Sequence, residues 1–271
     1  MTTTHLSARQ PGMVQLRRAK QRLIFALDVA SLAEVKEYVA LLRDEVGLFK
    51  VGKQLFLHGG PQVVRLIQQQ GGHIFLDLKF HDIPRTVANA GIEAARLGVR
   101  MLNVHASGGF EMMQQTALAV HKVCRAERLQ RPTLLAVTVL TSLTKDDLKQ
   151  IGVAARVEQQ VARLARLAQD AGMGGVVISP LEIMRVRREC GEHFLLVVPG
   201  VRSQGEAWDD QKRVLTPIEA IQAGADYLVI GKPIRDATDP RAAARQIVRE
   251  MADGLMTAPR STSAALRSAL A

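Results

Sequence analysis

Residues 75–87 read Phe-Leu-Asp-Leu-Lys-Phe-His-Asp-Ile-Pro-Arg-Thr-Val, FLDLKFHDIPRTV. Side chains on a strand alternate between two faces, so Leu76, Leu78 and Phe80 share one face and Asp77 and Lys79 the other. Such a strand is apolar where it packs on helices and charged where it looks inward. Pro84 suits the first turn of a helix, which leaves Asp82 and Ile83 in the connection between strand and helix. Burying an unpaired charge costs several kcal/mol, so Asp77 and Lys79 are expected either to be paired or to do chemistry.

Outward from this stretch the same rhythm recurs. Short apolar runs at 23–29, 47–52, 73–80, 101–106, 133–140, 174–180, 194–201 and 227–233 read as eight strands. Amphipathic segments at 32–44, 61–70, 86–97, 109–128, 156–171, 181–190 and 216–223 separate them, and 240–252 follows the last. Eight strands alternating with helices, with no linker midway, predict an α/β fold of the (β/α)8 TIM barrel type over 23–253. Strand counting does not prove closure, and a doubly wound open sheet is the alternative. In a barrel the active site lies at the C-terminal ends of the strands. Asp28, Lys50, Asp77, Lys79, Arg202 and the pair Gly231-Lys232 all fall at or near such ends.

Composition narrows the function classes. Of 271 residues, 47% are hydrophobic and only 4% aromatic, which supports a large aliphatic core and excludes wholesale disorder. The net charge of +10 invites a nucleic-acid partner, but the acid-free ends 1–22 and 254–271 carry seven of the basic residues. The body then holds 29 basic against 26 acidic residues, a balance suited to a small anionic substrate and not to nucleic acid. Residues 1–22 are expected to be a disordered basic extension, with only a faint likeness to a transit peptide, and 254–271 a flexible tail. No apolar run reaches membrane-span length. Cys124 and Cys190 stand apart from any metal or redox spacing and fit a reducing cytoplasm. His81 and His105 lie near the aspartates, but no metal-ligand spacing accompanies them, so no metal is expected. Ser107-Gly108-Gly109 lacks the context of a nucleophile elbow or a phosphate loop.

The motifs, taken in order, are ALD (26–28), KVGK (50–53), DLKFHDIP (77–84), NVHASGG (103–109), VTVLTS (137–142), PGVR (199–202) and VIGKP (229–233). Together they resemble the orotidine 5′-phosphate decarboxylase family over about residues 22–252. DxKxxD alone is shared with magnesium-dependent sugar-phosphate enzymes of the same superfamily; DIP, LTS and PGVR argue for the decarboxylases. The resemblance implies a homodimer that converts the nucleotide orotidine 5′-monophosphate to UMP and CO2 without cofactor. It implies that Asp28 and Lys50 flank the ribose hydroxyls, Asp77 meets the substrate carboxylate and Lys79 protonates C6. Asp82, Ile83 and Thr86 would reach across the dimer into the partner's site. Thr141 would meet the pyrimidine edge, and Arg202, Gln211, Gly231 and Lys232 the phosphate.

Lys232 departs from the family, which ordinarily has arginine there. Lysine keeps the charge but loses the bidentate fork, so weaker phosphate affinity with unchanged specificity is expected. That expectation fails if Lys232→Arg leaves KM for the nucleotide unaltered. The polar stretch 202–213 carries Trp208, the sole tryptophan, and has the length and composition of a lid over the phosphate.

Overall fold

In a computed structural model, which describes residues 11–202 and 215–257, the alternation of apolar runs and amphipathic segments resolves into a closed barrel. Its strands are β1 (Leu23–Ala26), β2 (Leu48–Gly52), β3 (Ile74–Phe80), β4 (Met101–His105), β5 (Thr133–Val137), β6 (Gly175–Val177), β7 (Leu195–Pro199) and β8 (Tyr227–Ile230). Every neighbouring pair is parallel, and β1 pairs with β8 through Leu23↔Leu228 and Ile24↔Val229. That pairing closes the sheet and removes the open-sheet alternative. Each strand lies within the apolar run that predicted it.

Period-two alternation sorts the core into two layers. Ile24, Leu48, Phe75, Met101, Leu135, Leu195, Val197, Tyr227 and Val229 fill the inside of the barrel. Leu23, Phe25, Phe49, Val51, Leu76, Leu102, Ala136, Leu196 and Leu228 face outward into the helical shell. Strands covered on both faces have no solvated side, which is why they read as continuous aliphatic runs. Inward positions near the strand ends are different on β2, β3 and β4, where Lys50, Asp77, Lys79, Asn103 and His105 replace the aliphatics.

The shell comprises α2 (Leu32–Leu42), α3 (Lys53–Gln69), α4 (Pro84–Arg96), α5 (Phe110–Glu127), α6 (Lys145–Gln150), α7 (Val157–Asp170), α8 (Ile183–Cys190), α9 (Pro217–Gln222), α10 (Lys232–Arg235) and α11 (Pro240–Thr257). Within α3 the chain breaks at Gly60, whose φ of +52° and ψ of −148° suit glycine, and Pro61 restarts the helix. The segment predicted over 61–70 is therefore the second half of this element.

Two described segments, 13–22 and 254–257, are helical where the sequence reading expected an extension and a flexible tail. Residues Met13–Arg22, assigned there to the extension, form α1, which packs against α11. Its sequence gives little sign of this because only Ala19 and Arg22 are buried, and Arg22 is charged. Burial lowers the Arg22 pKa while the charge of Asp226 opposes the shift. At the other end α11 runs through Thr257, past residue 253.

A buried ion pair ties the start of β8 to α8. Arg187 Nη2 donates to Asp226 Oδ2 at 2.6 Å and to the Gly224 carbonyl at 2.7 Å. Its Nη1 donates to the carbonyls of Gly191 and Phe194, both at 2.8 Å, and Leu196 N–H donates to Asp226 Oδ2 at 2.9 Å. Burial pushes the Asp226 carboxyl up, and Arg187 and Leu196 hold it back.

Candidate active site

The charged residues converge at the C-terminal mouth of β1–β3. Lys50 Nζ lies 3.1 Å from Asp28 Oδ1 and 3.5 Å from Asp77 Oδ2, and Lys79 Nζ lies 2.6 Å from Asp77 Oδ1. The chain Asp28–Lys50–Asp77–Lys79 thus alternates in sign. Asp77 is buried between its two ammonium partners, whereas Asp28 is open to solvent. A cavity of about 350 Å³ opens over these residues, bounded also by Gly52, Lys53 and Leu140. A Cβ added at Gly52 would stand 3.3 Å from Lys50 Nζ, so glycine leaves the room in which that ammonium reaches its carboxylates.

Local backbone chemistry aims Lys79. The β3–β4 register passes from Leu76↔Leu102 to Phe80↔Val104, so four steps along β3 are matched by two along β4. Lys79 sits in this bulge with φ +53°, a left-handed conformation that costs a lysine about 1–2 kcal/mol. Asn103 accounts for its persistence. The Lys79 N–H donates to Asn103 Oδ1 at 2.8 Å, and Asn103 Nδ2 donates to Asp77 Oδ1 at 2.7 Å. Asn103, only 1% exposed, therefore fixes both the strained backbone of Lys79 and the carboxylate that Lys79 faces.

Beyond the strand, Asp82 Oδ1 accepts the Ile83 N–H at 2.6 Å, and Ile83 caps the start of α4 with Pro84 in its first turn. Asp82, Ile83 and Thr86 are all exposed, and Asp82 makes no ion pair with its own chain's Lys79. Thr141 lies in the turn after β5; its neighbour Leu140 bounds the cavity and Thr141 does not. The cap before α6 is supplied by Thr144, whose hydroxyl and N–H pair with Asp147. Arg202 follows β7, where its N–H donates to the Leu215 carbonyl at 3.3 Å. Gly231 and Lys232 follow β8, with Lys232 exposed as the first residue of α10. Gln211 and Trp208 lie outside the described residues.

His81 and His105 have ring centroids 5.5 Å apart beside Lys79. Burial, then the neighbouring His81, Lys53 and Lys79, lower His105 to about 4. Among the described residues, no three His, Cys, Asp or Glu side chains are grouped to hold a metal ion. Three residues at or beside the site lie in the quoted motifs but were given no role in the sequence reading: Asn103, Lys53 and Leu140. Asn103 left a signal, as the one polar residue flanked by apolar residues in the run MLNVH, at the same inward parity as His105.

A sequence profile described as the orotidine 5′-phosphate decarboxylase / HUMPS family matches residues 21–247. Over 237 residues the chain is 54% identical to the orotidine 5′-phosphate decarboxylase of Geobacter sulfurreducens, covering 88% of this chain and 98% of that one. The enzyme of that name from Syntrophotalea carbinolica is 55% identical over 240 residues, 89% and 98% of the two chains. The crystal structure of orotidine 5′-phosphate decarboxylase from Lactobacillus acidophilus superposes with a TM-score of 0.76 at 36% identity, covering 84% of this chain and 98% of that one. The matched residues 21–247 span all eight strands of the barrel, and the chain belongs to the orotidine 5′-phosphate decarboxylase / HUMPS family.

Proposed function

We propose that this protein decarboxylates orotidine 5′-monophosphate to UMP and CO2, a step of pyrimidine biosynthesis, with Lys79 as the proton donor. The observation that carries the reading is the Asp28–Lys50–Asp77–Lys79 chain in a family whose curated relatives bear this activity in their names. Breaking the C6–carboxylate bond leaves an electron pair on a vinyl carbon with no conjugated sink. The Lys79 ammonium stabilises that pair, transfers a proton to C6 and becomes a neutral amine as CO2 departs. Asp77, held by Lys50, Lys79 and Asn103, cannot swing aside, so it orients Lys79 and confronts the substrate carboxylate. Preorganised charge of this kind requires no rearrangement during the reaction.

The chemistry proceeds without a cofactor on this reading. Two ammonium groups already engage Asp77, taking the electrostatic place a divalent cation would occupy. Asp28 and Lys50 take the ribose hydroxyls, Thr141 the base, and Arg202, Gln211, Gly231 and Lys232 the phosphate. The protein acts as a cytoplasmic homodimer: the exposed Asp82 adds a negative charge to the alternating row of the partner's site, and the exposed Ile83 and Thr86 reach it beside Asp82. No helix among the described residues is long and apolar enough to cross a membrane.

The test is conversion of orotidine 5′-monophosphate to UMP, followed by absorbance with and without EDTA. Turnover insensitive to EDTA and abolished in Lys79→Ala is expected. Turnover that needs added magnesium would instead place the protein with the metal-dependent sugar-phosphate enzymes.

A further inference from the structure

The opposite end of the barrel carries a second concave region. A cavity of about 430 Å³ opens where the strands begin. Five successive strand starts each deliver a basic side chain to it: Lys20 ahead of β1, Arg43 ahead of β2, His73 ahead of β3, Arg100 ahead of β4 and Arg131 ahead of β5. No aspartate or glutamate lines it among the described residues. Leu48, Met101 and the ring of Tyr227, all from inside the barrel, provide an apolar base. Lys20 comes from α1, just ahead of the segment matched by the family.

Helix C-termini point to this end of a parallel barrel, and their carbonyls attract cations without any ligand. Arg43 is used in that way: its Nη1 donates to the Gln70 carbonyl at 3.3 Å, and Asp44 lies 3.7 Å from its Nε. Lys20 and Arg100 are not. Among the described residues neither has a side-chain hydrogen bond or a carboxylate partner, and Arg131 bonds only to His121 Nδ1, at 3.1 Å. Burial, and then the charge of Arg100, lower the His73 pKa, so the region already resists one more positive charge. A concave wall of one sign focuses its field inward, and an anion seated there relieves the repulsion among the cations.

We infer that this cavity binds a compact polyanion built on a chain of phosphoryl groups, at a site separate from the catalytic mouth. Phosphoryl oxygens match the guanidinium forks of Arg100 and Arg131, and Lys20 adds a point charge at the rim. The volume falls in the range of small-molecule sites. Such a chain has two sources, an inorganic polyphosphate or a nucleoside polyphosphate, whose base would lie on Tyr227 and Met101.

The experiment uses the full chain saturated with UMP, so that the catalytic phosphate site is occupied. Inorganic tripolyphosphate and, separately, UTP are titrated by calorimetry. One equivalent per chain is expected, with affinity falling as salt rises, and Tm rising by roughly 4–6 °C at a hundredfold excess over Kd. Tighter binding of UTP identifies the nucleotide as the source; equal affinity identifies the phosphoryl chain alone. Arg100→Gln/Arg131→Gln should lose at least tenfold in affinity, with kcat and KM for orotidine 5′-monophosphate within twofold of the parent. If that protein folds poorly, Lys20→Gln/Arg131→Gln leaves Arg100 in place, removes two of the lining cations and should show the same loss. Absence of binding, or binding unchanged in the variants, overturns the inference.

Discussion

Replacing Asn103 by alanine removes the clamp on Lys79 while every charged side chain stays in place. Two hydrogen bonds disappear, one from the Lys79 N–H and one to the Asp77 carboxylate. A buried N–H left without a partner costs about 1–3 kcal/mol, and a hydrogen bond to a charged group is worth about 1.5–3 kcal/mol. The left-handed Lys79 backbone, itself unfavourable by about 1–2 kcal/mol, then has nothing to oppose its relaxation. Loss of roughly 2–3 kcal/mol of transition-state stabilisation corresponds to about a 30- to 150-fold fall in kcat. KM should change by less than about threefold, because the groups proposed to take ribose and phosphate stand outside the bulge. Steady-state kinetics by absorbance measure the split, and urea denaturation shows whether the sample is folded. If KM rises with kcat intact, or if activity per folded molecule is unchanged, Asn103 does not position Lys79. Asn103→Asp sharpens the test: it can still accept from the Lys79 N–H but sets a carboxylate against Asp77 Oδ1, so its kcat should fall at least as far.

Other consequences follow from the same geometry. In the proposed homodimer, mixing Lys79→Ala and Asp82→Asn subunits should restore about a quarter of parental activity, because half the random dimers would contain one site with both groups intact; if Asp82 served its own chain's site, the mixture would stay inactive. Arg187→Met strands Asp226 in the core and should cost about 3–5 kcal/mol by urea denaturation. Asp226→Asn in that background should recover part of the loss, and a single-variant cost below about 1 kcal/mol would contradict the buried pairing. His105, held near 4 by burial and by His81, Lys53 and Lys79, binds its proton more weakly folded than unfolded. Its contribution is therefore present above the unfolded pKa of about 6.5 and is lost as pH falls from there toward 4. Urea midpoints across that window should decline less steeply in His105→Gln; an unchanged slope would remove His105 as a cause.

The barrel was legible because its strands are sandwiched between two apolar layers, so eight aliphatic runs stood out from the amphipathic helices between them. Helix α1 was not legible, since it buries little more than Ala19 and the charged Arg22 and is held by its place against α11. The inward reading of Asp77 and Lys79 came from period two alone. It succeeded although β3 leaves regular pairing there, and the reason is parity. Four steps along β3 face two along β4, so Leu76 and Phe80 both still point into the helical shell, opposite Leu102 and Val104. An excess of one residue would have reversed every side chain beyond it. What alternation could not reveal was the left-handed turn at Lys79, or that a single asparagine on the next strand secures it.

That asparagine also bears on how the mouth of the barrel tolerates its charges. A row of ion pairs fixes which charges meet but leaves long lysine side chains free to rotate. Lys79 is fixed from both ends instead. Its ammonium lies 2.6 Å from Asp77 Oδ1, and its backbone N–H is held at 2.8 Å by the residue that also grips that oxygen. The loop Lys79 Nζ–Asp77 Oδ1–Asn103–Lys79 N thus closes on itself. Motion of the ammonium must break either the ion pair or the asparagine clamp. In the proposed decarboxylation, whose difficulty is an electron pair on one carbon, placing a single ammonium matters more than adding further charge. Asn103, uncharged and distant in sequence, supplies that placement.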